Sequence, residues 1–347
     1  MITMRDIAVR AGVSRSTVSF VLNDKHDAMG VNENTRRRVL QVADELGYRR
    51  NALARSIVTG KFPVFGFLVW GSMLEFEVAA RVMNGAMDEA EVHNYTVQVM
   101  RLFRENDEEV IRRCVEMRPT GVMGIYAPTE ILVHLRQEMS RFHIPVMVLD
   151  STIGLPGMSS IVSDDILGCH QAIEHLVSLG HRRIAFIGGS PETVAGSMRI
   201  QGYTRAMEEH GLPVLPGYLE NGYWEAASVE QATRRLFQET EVPPTAVFCA
   251  DDKTALVACR VIRQLGWRIP EQVSVIGFAD LSMSFYSDPP LTTVSQPFHE
   301  IGRQAVRRLL TLAQEGEPPL TDAGGSPYQE RLPTTLIVRQ STAPVAG

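Results

Sequence analysis

Apolar and polar positions recur with two different rhythms along this chain, and the change falls near residue 63. Before it the spacing is helical. Ile7, Ala8 and Ala11 form one short stripe, Val18, Val21 and Leu22 a second, and Val39, Leu40, Ala43 and Leu46 a third. Each stripe has a start signal. Thr3 with Asp6 fits a capping box, Ser14 stands before the second stripe and Asn32 before the third. Ile2/Ile7 and Val13/Val18 occupy staple positions, and Gly12 and Gly47 suit helix ends. Two helices of about two turns joined by a Gly-containing turn predict a helix-turn-helix, with a third helix packed on it.

From Val64 the pattern becomes short apolar runs alternating with amphipathic stretches. Strands are expected at Val64–Trp70, Tyr95–Leu102, Gly121–Tyr126, Pro145–Asp150, Arg183–Gly188, Thr245–Ala250 and Val273–Phe278. Helices are expected between them, such as Val78–His93, Asp107–Arg118, Ile166–Leu179, Met198–His210, Ser228–Glu239 and Lys253–Leu265. Such alternation predicts an α/β body of doubly wound parallel sheets. Its size predicts two subdomains rather than one. The expected organisation is an all-α head at 1–48, a linker at 49–61, a body at 62–340 and a tail at 341–347. Ala52, Leu53, Ala54 and Ile57 give the linker helical potential, but a helix this short needs a partner.

Charge sharpens this division. The 347 residues carry a net charge of −6. Residues 1–61 hold 11 Lys and Arg against 6 Asp and Glu, a net of +5, so the remainder nets −11. A basic head on an acidic body suggests a polyanion-binding module joined to something else. The outer face of the second helix carries Arg15, Ser16, Thr17 and Ser19 and no acid, which suits base edges and phosphates. The bland alternative is a solvated three-helix bundle.

Ligands of doubly wound sheets bind at the carboxyl ends of the strands. Those ends hold Trp70, Tyr126, Asp150, Gly188-Gly189-Ser190, Asp251-Asp252 and Asp280. Aromatic faces with carboxylates match a sugar-like ligand. Asp165 and Asp252, each before a helical run, read as helix N-caps instead. The sequence has no phosphate loop, dinucleotide fingerprint or nucleophile elbow. No histidine spacing suits zinc. No enzyme, metal or cofactor is therefore expected. The four scattered cysteines, the absence of a signal-peptide layout and the lack of a long apolar run point to a reducing cytoplasm and no membrane.

At this point the chain resembles the lactose-repressor/galactose-repressor (LacI/GalR) family of bacterial transcription regulators. The match runs through Arg5-Asp-Ile-Ala-Val-Arg-Ala-Gly-Val-Ser-Arg-Ser-Thr-Val-Ser-Phe-Val-Leu-Asn23, Tyr48 and Asn51-Ala-Leu-Ala-Arg-Ser56. It continues at Leu179–Gly189, Arg199–Tyr203, Val273–Phe278, Pro290–Pro297 and Leu332–Leu336. The resemblance implies a homodimer on a pseudo-palindromic double-stranded operator, with the second helix in the major groove. Hinge helices at 51–58 would enter the minor groove, with Ile57 as the wedge. The operator-contacting set it implies is Thr3, Ser14, Arg15, Ser16, Thr17, Ser19, Phe20, Asn23, Thr35, Tyr48, Asn51, Leu53, Ala54, Arg55 and Ile57. The body would close on a small effector lined by Asp150, Arg199, Trp224, Asp251 and Phe298, together with Trp70, Tyr126 and Asp280 from the strand ends. Arg199 would grip a hydroxyl or carboxylate, and Trp224 would stack.

Several positions depart from the family's pattern. Phe20 stands where Arg is usual, Arg50 where Pro is frequent, Ile57 where Leu is commoner and Ala279 where an Asp often bonds effector hydroxyls. The loop Asp24–Gly30 is longer than usual. The last residues carry no leucine heptad, so a coiled-coil tetramer is not expected. The expected function is a repressor of carbohydrate-utilisation genes answering a sugar-like effector. A nucleobase effector is the alternative; a solute-binding protein and a sugar-modifying enzyme are further rivals.

Overall fold

The computed structural model describes residues 2–22, 29–48, 63–71, 77–103, 105–149, 158–315 and 328–345. The chain divides into two units, a head at Met1–Gly60 and a body at Lys61–Gly347.

The head packs α1 (Met4–Ala11), α2 (Arg15–Leu22) and α3 (Glu33–Glu45). The capping box at Thr3 forms: the Asp6 N–H donates to Thr3 Oγ1 at 3.4 Å, and the Thr3 N–H donates to Asp6 Oδ2 at 2.8 Å. Gly12, left-handed at φ 64°, closes α1. Ser14 and Asn32 cap the next two helices by accepting from Thr17 N–H at 3.0 Å and Thr35 N–H at 2.8 Å. Ile7, Val18, Val21 and Val39 meet in one core. One expected position moves: Leu40 is exposed, and Val42 is buried instead. Residues 39, 42, 43 and 46 are the i, i+3, i+4, i+7 face of α3, and Leu40 lies a step off it.

The body holds two six-stranded sheets. Its first strands are β1 (Val64–Trp70), β2 (Thr96–Leu102), β3 (Gly121–Ile125), β4 (Val146–Leu149) and β5 (Ser159–Ser163). Then come β6 (Ile184–Gly188), β7 (Leu219–Asn221), β8 (Ala246–Cys249), β9 (Ser274–Ala279) and β10 (Thr292–Ser295), and last β11 (Gln329–Leu332) and β12 (Thr335–Ile337). The sheet orders are β11-β5-β4-β3-β1-β2 and β12-β10-β9-β8-β6-β7. All neighbours are parallel except β12, which runs antiparallel to β10 and so makes the second sheet mixed at its edge. Buried on both faces, the central strands read as unbroken apolar runs, β4 being Val-Met-Val-Leu.

The helices are α4 (Glu77–Val92), α5 (Asp107–Met117), α6 (Thr129–Ser140), α7 (Asp165–Ser178), α8 (Val194–Glu209), α9 (Ala226–Gln238), α10 (Asp252–Gln264), α11 (Ser282–Tyr286) and α12 (Phe298–Glu315). The chain crosses between the sheets three times, at 163–165, 295–298 and 332–335, so each subdomain is assembled from separate stretches. Helices α4 and α12 touch backbone to backbone. A Cβ on Gly85 would lie 1.9 Å from the His299 carbonyl oxygen, and one on Gly302 1.9 Å from that of Val82, so only glycine fits at either place. Beside them, Glu89 accepts from Arg307 at 2.7 and 2.9 Å and from Arg303 at 3.0 Å, which holds its carboxyl down at about 2. Residues 341–345, set apart in the sequence as a tail, bind the second subdomain: the Val275 N–H donates to Ser341 O at 2.8 Å, and the Val345 N–H to Leu179 O at 3.0 Å.

Candidate nucleic-acid interface and ligand cleft

On the head, the first turn of α2 gathers three hydroxyls. Ser14 Oγ lies 2.8 Å from both Ser16 Oγ and Thr17 Oγ1. No acid occupies this turn, so the positive end of the helix dipole and the hydroxyl donors face outward together, as phosphate contact requires. Arg15 is exposed beside them. Tyr48 packs on the head core and donates its N–H to Ala43 O at 2.8 Å. The Thr3 hydroxyl is engaged by Asp6 at 2.8 Å, and Thr35 gives its N–H to the Asn32 cap. Asn23, Asn51, Leu53, Ala54, Arg55 and Ile57 lie outside the described residues, as does Asp150 in the body.

The carboxyl ends of both sheets carry the other expected residues. Trp70 ends β1 and Tyr126 follows β3, both half-buried against the first subdomain's core. Trp224 follows β7, Asp251 follows β8 and Asp280 follows β9. Backbone strain gathers here. Of eight non-glycine residues with positive φ among the described residues, five sit at these ends: Tyr126, Tyr223, Trp224, Ala279 and Asp280. Each such residue costs about 1–3 kcal/mol, a cost that clusters at binding sites.

Trp224 is clamped. Its indole Nε1 lies 3.4 Å from Thr193 Oγ1, and a Cβ on Gly189 would fall 2.0 Å from its Cζ2. The ring therefore lies on bare backbone after β6, while its own residue stays 38% exposed.

The acids are arranged differently from the sequence expectation. Asp164, not Asp165, caps α7, accepting from Leu167 N–H at 3.0 Å. Asp251, not Asp252, caps α10, accepting from Thr254 N–H at 2.7 Å. The second acid of each pair is taken by tertiary partners. Asp252 is sealed from solvent and accepts from Leu281 N–H at 2.6 Å and Thr293 Oγ1 at 2.5 Å. Burial pushes its carboxyl up to about 6, although the hydrogen bonds from Thr293 and Leu281 favour the charged form.

Asp165 receives Arg199 Nε at 2.8 Å. The same guanidinium donates to Ala250 O at 2.6 Å and Gln296 Oε1 at 3.2 Å, and stacks 4.0 Å over the Phe278 ring. Gln296 Nε2 in turn donates to Ser163 Oγ and, at 3.1 Å, to Asp165 Oδ1. Arg199, expected to grip a ligand, thus ties the first crossing to the second. The sequence reading missed Ser163 and Gln296 in this role; Gln296 lies in the Pro290–Pro297 stretch that carries the resemblance, which was its one signal, and Ser163 carries none.

Three further placements matter. Phe298 is core: it is 2% exposed and packs with Val69, Ala279 and Leu281. Ala279 turns its methyl into that same cluster. Asp280 is held by Arg339 Nη2 at 2.6 Å. Among the described residues, no group of His, Cys, Asp and Glu could hold a metal ion, and no helix is long and apolar enough to cross a membrane. All four cysteines are buried free thiols, and burial pushes their pKa values up, which keeps them protonated.

With this geometry in hand, similarity decides the family. The model for "Bacterial regulatory proteins, lacI family" matches residues 3–51, and that for "Periplasmic binding protein-like domain" matches residues 173–342. The HTH-type transcriptional repressor PurR of Aliivibrio fischeri (strain MJ11) is 33% identical over 314 residues, 89% of this chain and 91% of that one. This chain belongs to the lacI family. It is a DNA-binding transcriptional repressor and not an enzyme. A lac repressor dimer bound to operator and the anti-inducer ONPF superposes with a TM-score of 0.77 at 28% identity, covering 99% of each chain. The transcriptional regulator CelR–cellobiose complex gives 0.70 at 27%, covering 98% of this chain and 100% of that one. With the family come its partners: operator DNA, a second copy of the chain and a small-molecule effector.

Proposed function

We propose that this repressor answers a small polyhydroxylated, sugar-like effector taken up at the carboxyl ends of the two sheets, and that it governs carbohydrate-utilisation genes in the cytoplasm. The observation that carries this reading is the clamped, half-exposed indole of Trp224. Strands β8, β6 and β7 are neighbours about 5 Å apart, so the ends that lead into Asp251, Gly189-Ser190 and Trp224 stand side by side. An aromatic platform beside a carboxylate suits a sugar ring, whose C–H face stacks while its hydroxyls donate. The likeness to a cellobiose complex supports the same class. Trp70, Tyr126, Asp150 and Asp280 complete the proposed lining, with Arg199 and Phe298 supporting it from behind.

A nucleobase is the second reading, favoured by Ala279. With its methyl in the core, that strand end offers no acceptor to a ligand hydroxyl, which suits a flatter, less hydroxylated ring.

On the operator, Arg15 and Ser16 are assigned to base edges. Thr3, Ser14, Thr17, Ser19, Asn23, Thr35, Tyr48 and Asn51 are assigned to the backbone, and Leu53, Ala54, Arg55 and Ile57 to the minor groove. The body's share of the dimer face is assigned to α11, whose Met283, Phe285 and Tyr286 are exposed, Tyr286 by 82%. A second copy covering them removes a contiguous apolar patch from water.

The deciding experiment titrates the full chain with mono- and disaccharides and nucleobases, reading tryptophan fluorescence and operator retention together. A sugar is expected to change both, and Trp224→Phe to remove part of the optical change. A nucleobase that does so, with every sugar silent, replaces the first reading with the second.

A further inference from the structure

Helix α2 buries Val18, Val21 and Leu22. At about 100° per residue, Ser16 and Phe20 lie about 40° apart on the side away from that stripe. Phe20 is half-buried, yet it is neither in the head core nor among the residues packed against it. Among the described residues, a phenyl ring therefore shares the outward side of α2 with Ser16, on the face that otherwise offers hydroxyls. Its apolar surface stays partly in water until something covers it.

A phenyl ring neither donates nor accepts a conventional hydrogen bond. Set against guanine O6 and N7, the adenine N6 and N7 pair or cytosine N4, it would strip water from polar atoms without replacing the bond. The major-groove edge has one apolar feature, the C5-methyl of thymine. We propose that Phe20 is a specificity-determining residue that reads this methyl, so that the preferred operator carries thymine at one symmetric position in each half-site. The proposal rests on the reading of α2 as the base-facing helix and fixes what one position of that helix selects.

The test uses the full chain and a library of randomised duplexes, selected in parallel by the wild type and by Phe20→Ala. Equal thermal melts of the two proteins establish that the head is intact. Thymine at the position whose preference depends on Phe20 is then replaced by deoxyuridine, which removes only the methyl. The wild type is expected to lose about fourfold in affinity for one half-site and roughly fifteenfold for both, the factor for one CH2-sized group returned to water. Phe20→Ala is expected to bind thymine and uracil sites equally. Wild-type affinity unchanged by uracil at every thymine overturns the proposal. So does a Phe20→Ala protein with the same base preferences and the same uracil penalty. A wild type that enriches no sequence at all overturns the base-facing reading of α2 itself, and this proposal with it.

Discussion

Glu77, at the start of a first-subdomain helix, caps a second-subdomain helix at Ser282. Its two oxygens lie 3.1 and 3.0 Å from the Ser282 N–H, and one of them lies 2.7 Å from the hydroxyl. Helix α11 has no cap of its own, since Leu281 precedes it. Burial opposes the charge on Glu77, but Ser282 and Arg81 outweigh it and hold the carboxyl's pKa below its ordinary value, which favours the charged form. The clasp therefore strengthens above the ordinary carboxylate value and is lost as pH falls below it. Glu77→Ala is expected to cost about 1–2 kcal/mol. A double-mutant cycle with Ser282→Ala, read by urea unfolding, should show coupling of about 0.5–1.5 kcal/mol; additive losses would mean that the clasp does not hold in solution.

Arg199 and Asp165 form a buried pair at the first crossing. Removing one partner leaves the other charged and sealed in, a loss of about 3–5 kcal/mol. Arg199→Ala is expected to lower the body's melting transition and abolish effector response, while the head, a separate unit, still binds operator. Retained effector response with an unchanged melt would return Arg199 to a purely peripheral role.

Gly189→Ala should unseat Trp224. The new methyl cannot share space with the indole, so the ring must swing away or the strand end must shift, at about 1–3 kcal/mol. The expected signature is a shift in tryptophan emission together with a weakened fluorescence response to the effector. An emission spectrum identical to the wild type would refute the clamp.

Asp252 makes stability depend on pH in the unusual direction for a carboxylate. Its folded value, about 6, lies above the unfolded value of about 4. Its stabilising contribution is therefore complete below about pH 4 and is lost as pH rises through about 6. Asp252→Asn can still accept from Leu281 and donate to the Thr293 hydroxyl. It should flatten the stability curve across that interval and gain about 1–3 kcal/mol at pH 7. Urea unfolding from pH 4 to 8 checks the sign.

Operator contacts divide by kind. Arg15→Ala should cost about 1–3 kcal/mol at the selected site and relax one base preference. Ile57→Ser should reduce DNA bending and specific affinity together, without loss of the dimer. A permuted-fragment gel assay separates the two effects, and an unchanged bend would remove Ile57 from the minor groove.

What could be read from sequence was what is local. The caps at Thr3, Ser14 and Asn32 depend on residues three apart, and each formed as expected. The misplaced caps share one cause. In Asp164-Asp165 and Asp251-Asp252 either acid could turn to the helix, and only distant partners, Arg199 for one and Thr293 with Leu281 for the other, decide which does. Strands β5, β7, β10, β11 and β12 escaped because they are short and rich in Ser, Thr, Glu and Gln, and their place in a sheet comes from neighbours far away in the chain. Helix α12 does carry a helical period in Ile301, Ala305, Val306, Leu309 and Leu312; what that period does not display is its partner, because the contact with α4 rests on missing side chains, Gly302 against Val82 and Gly85 against His299. The strand-end residues were found from topology alone, yet topology could not say that Phe298 faces the core or that Asp280 is already paired with Arg339.

The triple crossing also sets an order of events during synthesis. The last two strands complete different sheets, so the first sheet lacks a strand until β11 is made and the second until β12 is. The head draws the core of its three helices from residues no later than Tyr48. At about 5–20 residues per second, its sequence is finished roughly 15 to 60 seconds before β12 is. A newborn chain thus has its recognition helix long before its ligand sensor, and because the dimer face assigned to α11 is made with the second sheet, pairing on the operator and sensing of the effector arrive together.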